Sequence, residues 1–162
     1  TLQADAWPQA VWSPFVYATV RRDVIRNLSR SLEGGGGVKW TFLRVDDGTA
    51  ASLSSAAIMD SERYILEPGS TGPAGRGVTR LSTRLKVDIV FGAGAKLQIV
   101  TFWLRRFGDF GDYVVGAATP LSSPLTTSLS LAVEHSYVHD ALPPPGAGRE
   151  DQRIAVVLRV AL

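Results

Sequence analysis

Gly77-Val-Thr-Arg80-Leu-Ser-Thr-Arg84-Leu-Lys-Val-Asp-Ile-Val-Phe91 is the stretch that decides the fold. Leu81, Leu85, Val87, Ile89 and Phe91 fall on one side of a two-residue period, and Arg80, Ser82, Arg84, Lys86 and Asp88 on the other. Alternation over that length specifies a strand with one buried face. Gly92-Ala-Gly-Ala95 supplies a short connection, and Lys96–Arg106, centred on Ile99-Val-Thr-Phe-Trp103, reads as an interior strand, apolar in places on both faces. A long hairpin therefore anchors the chain.

Working outward, Tyr113–Ala118 reads as a short strand after the Gly108–Asp112 turn. Ser128–His139 alternates, with Leu129, Leu131, Val133, His135, Tyr137 and His139 on one face, and Arg153–Leu162 alternates again. Pro68–Gly77, Pro120–Thr127 and Leu142–Asp151 read as loops. Upstream, Val38–Val45 is a strand, and the Ala/Ser-rich Thr49–Asp60 is consistent with a short helix capped by Thr49. Ser13-Pro14 resembles a helix entry, and Tyr17, Val20, Val24, Leu28 and Leu32 recur at helical spacing before Gly34. The β-branched residues of Phe15–Val20 favour a strand instead, and helix is the expectation adopted. Gly34–Gly37, four glycines in a row, reads as a hinge or exposed loop. Thr1–Ser13 reads as an arm whose Trp7 and Trp12 dock on the body or on a neighbouring subunit.

The chain has 162 residues, enough for one domain with a core, with 45% apolar and 20% charged residues. No run approaches the ~18 uninterrupted apolar residues of a membrane helix, so no membrane partner is expected. The chain opens on Thr1, which leaves room for processing or a missing preceding stretch. Absence of cysteine excludes disulfides and thiolate metal sites. The net charge of +2 is uneven: residues 1–106 carry 14 basic and 9 acidic groups, and 107–162 carry 3 and 6. Fourteen of the 17 basic residues are arginine, whose planar fork suits phosphate and carboxylate partners.

Candidate chemistry is sparse. Asp109-Phe110-Gly111 matches a kinase magnesium triplet in letters only, without the other elements of such a site. Asp109 and Asp112 form a carboxylate pair of the kind that holds Ca²⁺ at a subunit boundary, although two ligands are too few for a complete site and ordinary turn aspartates are the simpler reading. His135 and His139 share a strand face but lack a third zinc ligand. No nucleophile motif is present, so an enzyme is the disfavoured class, and neither a cofactor nor a small-molecule substrate is expected. Arg21, Arg22, Arg26 and Arg30, placed on one helical face beside the glycines, are the candidate nucleic-acid contacts. Arg80, Arg84 and Lys86 form a second stripe, read as a solvated strand face.

The strand rhythm of Gly77–Val90, the Gly-Ala-Gly-Ala95 turn, Leu97–Leu104, Ser128–Glu134, the Pro143–Pro145 crossing and Ile154–Leu162 resembles the jelly-roll coat proteins of small icosahedral RNA viruses, tymovirus-like and satellite-virus-like shells among them. The resemblance implies a non-enzymatic subunit that assembles with copies of itself around an RNA genome, in a virion. The dense basic arm common in such coats is absent here. The expectation is an all-β protein: an antiparallel eight-stranded jelly-roll sandwich with one or two short helices over residues 38–162, behind an arm and basic segment over 1–37. The expected function is a capsid protein. The alternatives are a β-sandwich module binding carbohydrate or protein, and an all-β single-stranded nucleic-acid binder.

Overall fold

The structure, a computed structural model, describes residues 2–23, 28–64, 75–92, 94–143 and 148–160. It is all-β. Nine strands, β1 (Leu2–Asp5), β2 (Trp12–Asp23), β3 (Leu28–Arg44), β4 (Ala50–Tyr64), β5 (Gly75–Phe91), β6 (Ala95–Arg106), β7 (Asp109–Pro124), β8 (Leu129–Asp140) and β9 (Glu150–Val160), form one sheet. Each strand pairs antiparallel with its neighbours in sequence, so the sheet is an uninterrupted meander from β1 to β9. A jelly roll splits its strands between two sheets and joins them by Greek-key crossings. This strand order contains no such crossing, and among the described residues no second layer packs on the sheet.

The predicted hairpin of β5 and β6 forms, with Leu85 opposite Thr101 and Val87 opposite Ile99 and with Gly92 and Gly94 at its turn. Both of those glycines take positive φ, which a tight hairpin requires. Three other expectations are corrected. Residues 14–23 and 28–32 are strand rather than helix, because Phe15, Val16, Tyr17, Thr19 and Val20 pair edge to edge with β3 and long-range pairing overrides helical spacing. Thr49–Asp60 gives way to β4 for the same reason: its Ala/Ser run is paired on both sides, with β3 and with β5. Gly34–Gly37 is neither hinge nor loop but lies inside β3, and so does the expected domain boundary after residue 37. A Cβ on Gly37 would press on the Ser55 carbonyl and on Ala56, so only glycine lets β3 and β4 meet this way.

The strands are long. β3 and β5 have 17 residues each, about three times the usual strand length. The sheet is also curled. One cavity is lined by Gln3 of β1, Phe15 and Tyr17 of β2, Arg84 of β5, Phe102 of β6 and Val114 of β7. Six strand spacings of ~4.8 Å would hold β1 and β7 roughly 29 Å apart in a flat sheet. Lining one cavity together requires the sheet to roll into a trough.

Candidate functional site: a polar trough with an apolar back

The two faces of the trough differ in chemistry, and the distribution is the reverse of a water-soluble domain's. Pairing places Trp12, Val16 and Val20 of β2, Val38 and Trp40 of β3, Leu53 and Met59 of β4, Phe91 of β5, Trp103 of β6, Val133 of β8 and Ile154, Val156, Leu158 and Val160 of β9 on the convex side. These side chains are exposed: Val16 at 61%, Met59 at 71%, Val156 at 70%. All four tryptophans, Trp7, Trp12, Trp40 and Trp103, are exposed as well. Among the described residues the buried apolar side chains are only Ala51, Ala56, Ile58 and Ala132. A chain of this length in water buries far more.

Aromatic side chains gather toward the two ends of the convex band. At the rim carrying the turns at 45–49 and 92–94, Trp12 stacks on Trp40 with centroids 5.5 Å apart, Trp40 meets Phe42 at 5.3 Å, and Phe91 closes β5. At the opposite rim, Trp103, Phe107, Phe110 and Tyr113 surround the β6–β7 turn. Here Arg105 lies over the Phe110 ring at 4.2 Å and the Trp103 ring at 5.3 Å. Small and aliphatic residues occupy the middle, Ala57, Leu85, Val87, Ile99, Thr101 and Ala117 among them.

The concave side carries the charges, and most of them are compensated. Asp88, 7% exposed, takes a hydrogen bond from Gln98 Nε2 at 2.7 Å and ion pairs from Lys86 at 3.0 Å and Lys96 at 3.2 Å. Asp112, 2% exposed, sits between the guanidinium groups of Arg80 at 3.4 Å and Arg106 at 3.6 Å. Lys39 reaches Asp5 at 2.9 Å, Tyr17 donates to Glu33 at 2.9 Å, and the buried Ser13 hydroxyl donates to the Ala6 carbonyl at 2.7 Å. Apart from Lys86–Asp88, which lies within β5, these pairs join different strands or strand ends and cross-link the sheet on its sheltered side. No buried side-chain polar atom among the described residues lacks a partner.

Two cavities open on this face. The first, about 460 Å³, is lined by Phe15, Tyr17, Ile58, Phe102, Leu104 and Val114 together with Ser54, Ser82 and Arg84. The second, about 490 Å³, is polar and lies between β6 and β9, against Lys96, Gln98, Glu134, Ser136 and Arg153.

Among the described residues, the predicted site residues are spread over strands and turns rather than over a helix. Arg21 and Arg22 lie on β2, Arg30 lies on β3, and Arg26 lies outside the described residues, as do Pro144 and Pro145 of the expected crossing. The helical face that was to gather the four arginines is absent, since β2 and β3 are strands. Trp7, in the β1–β2 turn with φ 51°, and Trp12 are exposed and belong to the convex rim. Asp109 and Asp112 part company: Asp109 accepts the Gly111 N–H at 3.0 Å in an exposed turn, while Asp112 turns inward to its two arginines. Among the described residues no cluster of three or more His, Cys, Asp or Glu is placed to hold a metal. His135 meets Gln152 at 3.0 Å and His139 faces Glu150 at 3.7 Å, each on the next strand. Sequence reasoning missed Trp40 and Trp103 as rim residues and read the stripe of Arg80, Arg84 and Lys86 as a solvated face. The available signal was Val78–Phe91 itself, whose charged side equals its apolar side in length.

Comparison with known proteins gives one result. The model of a family described as a protein of unknown function, DUF481, matches residues 2–161, and the chain belongs to that family. It is not a coat-protein family, and this corrects the resemblance to viral shells, which rested on strand rhythm shared by many all-β proteins. No curated protein and no solved structure matches the chain.

Proposed function

We propose that this member of DUF481 is a membrane protein whose sheet crosses the bilayer as the wall of a β-barrel, convex face to lipid and concave face to a polar interior. One observation carries the reading: large apolar side chains are exposed on the convex face while Asp88, Asp112, Ser13 and Thr19 are buried on the concave one. In water that arrangement is costly on both sides. In a bilayer it is the required one, since strands crossing lipid alternate apolar outward and polar inward.

The dimensions agree. Leu81 to Phe91 spans ten residue steps on the convex side of β5. At ~3.3 Å per step and a tilt of ~40°, that is an apolar band ~25 Å tall, the height of the lipid-facing band of such barrels. The aromatic ends fit the interfacial girdles, where amphipathic rings sit at headgroup level. Meander order with each strand hydrogen-bonded to the next is the topology that satisfies backbone groups in lipid, and closure of the sheet's outer edges completes it. The expectation that no membrane is involved rested on helix length. Among the described residues no helix is long and apolar enough to cross, and that criterion does not address strands.

The test is insertion. Protein refolded from urea in the presence of phosphatidylcholine vesicles should co-float with them, resist protease and migrate differently on gels before and after boiling. Its tryptophan emission should be quenched by lipids brominated near the headgroup. Protein that stays in the aqueous phase as large uniform particles containing RNA would instead favour the self-assembling shell.

A further inference from the structure

We propose that the cavity between β2 and β7 binds a small aromatic carboxylate, held by Arg84 at its charged end and by Phe15, Tyr17 and Phe102 along its ring. The inference rests on the membrane reading only in taking the trough to be screened from bulk water.

Arg84 differs from its neighbours on the concave face. Arg80 and Arg106 share Asp112, Lys86 and Lys96 share Asp88, and Lys39 holds Asp5. The Arg84 guanidinium has no hydrogen-bond or ion-pair partner among the described residues; only its backbone carbonyl is engaged, by the Ser54 hydroxyl at 3.5 Å. Arg84 is exposed to the open trough, and in a trough screened from bulk water a lone guanidinium there calls for an anion. Its planar fork matches a carboxylate through two parallel hydrogen bonds.

The surroundings set the rest of the ligand. The cavity's ~460 Å³ lies within the usual range for small-molecule sites, about 300–1,000 Å³. Phe15, Tyr17 and Phe102 supply ring faces, Ile58, Leu104 and Val114 supply aliphatic wall, and Ser54 and Ser82 supply hydroxyls near the charge. Glu33 also lines the space, where its carboxylate accepts from the Tyr17 hydroxyl, and Arg84 is the cation of the lining. Gly116 fixes one wall. A Cβ there would collide with the Phe102 ring, so the glycine is what admits the ring at this position. Arg153 also has no ion pair among the described residues, but the one ring lining its cavity is the His135 imidazole, with no Phe, Tyr or Trp beside it. That makes Arg153 the internal control.

The experiment is calorimetric titration of the full chain in detergent micelles with 2-naphthoate and with its neutral counterpart 2-naphthalenemethanol. Expected are saturable one-to-one binding of naphthoate and at least tenfold weaker binding of the alcohol. Arg84→Gln should weaken naphthoate at least tenfold, Arg84→Lys should retain part of the affinity, and Arg153→Gln should leave it unchanged. Equal binding by wild type and R84Q, equal binding of acid and alcohol, or uptake no greater than by protein-free micelles would overturn the proposal. Circular dichroism and vesicle insertion are measured on every variant. Protein that inserts without binding naphthoate removes this inference alone, whereas protein that binds naphthoate but never enters vesicles removes the membrane reading alone.

Discussion

The two faces of β5 lie one residue apart and obey opposite rules. Leu81, Leu85, Val87 and Ile89 cover the convex side, where the band as a whole holds the chain's most exposed apolar groups. Arg80, Lys86 and Asp88 cover the concave side, where each is paired and Asp88 is almost wholly enclosed. The same inversion repeats on β2, whose Trp12, Val16 and Val20 are exposed while Ser13 and Thr19 are buried. A sheet built this way is held together by cross-strand hydrogen bonds and compensated charges rather than by an apolar core. Its stability belongs to the concave face and its choice of solvent to the convex one.

That division can be broken deliberately. Removing the most enclosed charge should cost most: Asp112→Ala leaves Arg80 and Arg106 facing each other unpaired, with an expected loss of about 3–5 kcal/mol, read as a lower urea midpoint for vesicle-folded protein. Next comes a charge on the lipid side. Leu85→Arg, in the middle of the convex band, should lose about 2–4 kcal/mol of stability in vesicles. If that face met water instead, the arginine would be neutral or would improve solubility, so this variant separates the two environments. A smaller effect is expected from Gly116→Ala. The added methyl displaces the Phe102 ring, costing about 1–3 kcal/mol with an intact far-ultraviolet strand spectrum. Smallest of all, Ser55→Ala on the convex side should stay within about 0.5 kcal/mol of wild type, because its side chain is exposed and takes no part in the sheet's cross-links.

Legibility differed sharply between parts of the chain. The β5–β6 hairpin was readable, because alternation and a glycine turn are both local signals. β8 was readable too: His135, Tyr137 and His139 do share a face with Leu131 and Val133. The N-terminal third was not. Phe15–Val20 carries β-formers at positions that also fit a helical period, and the deciding partner, Gly34–Gly37, reads as a breaker unless the tight approach of Gly37 to Ser55 is known. The site was less legible still. Arg80, Arg84 and Lys86 were visible as a stripe, but their partners Asp112 and Asp88, and the aromatic wall opposite Arg84, come from four different strands.

By itself the sequence determined that the chain is mainly β, where β5, β6, β8 and β9 run, and which of their residues share a face, while β7 runs Asp109–Pro124 through a stretch read as turn, short strand and loop. A period of two divides side chains into two sets and is unchanged when the sets are exchanged. Which set is sheltered depends on the direction in which the sheet curls, and that direction is a property of nine strands pairing in order, with Gly35, Gly37 and Gly116 admitting close approach on the way. The apolar set was therefore read as a core. Tertiary structure turned it outward: Asp88 with its lysines and Asp112 with its arginines lie on the inside of the rolled sheet.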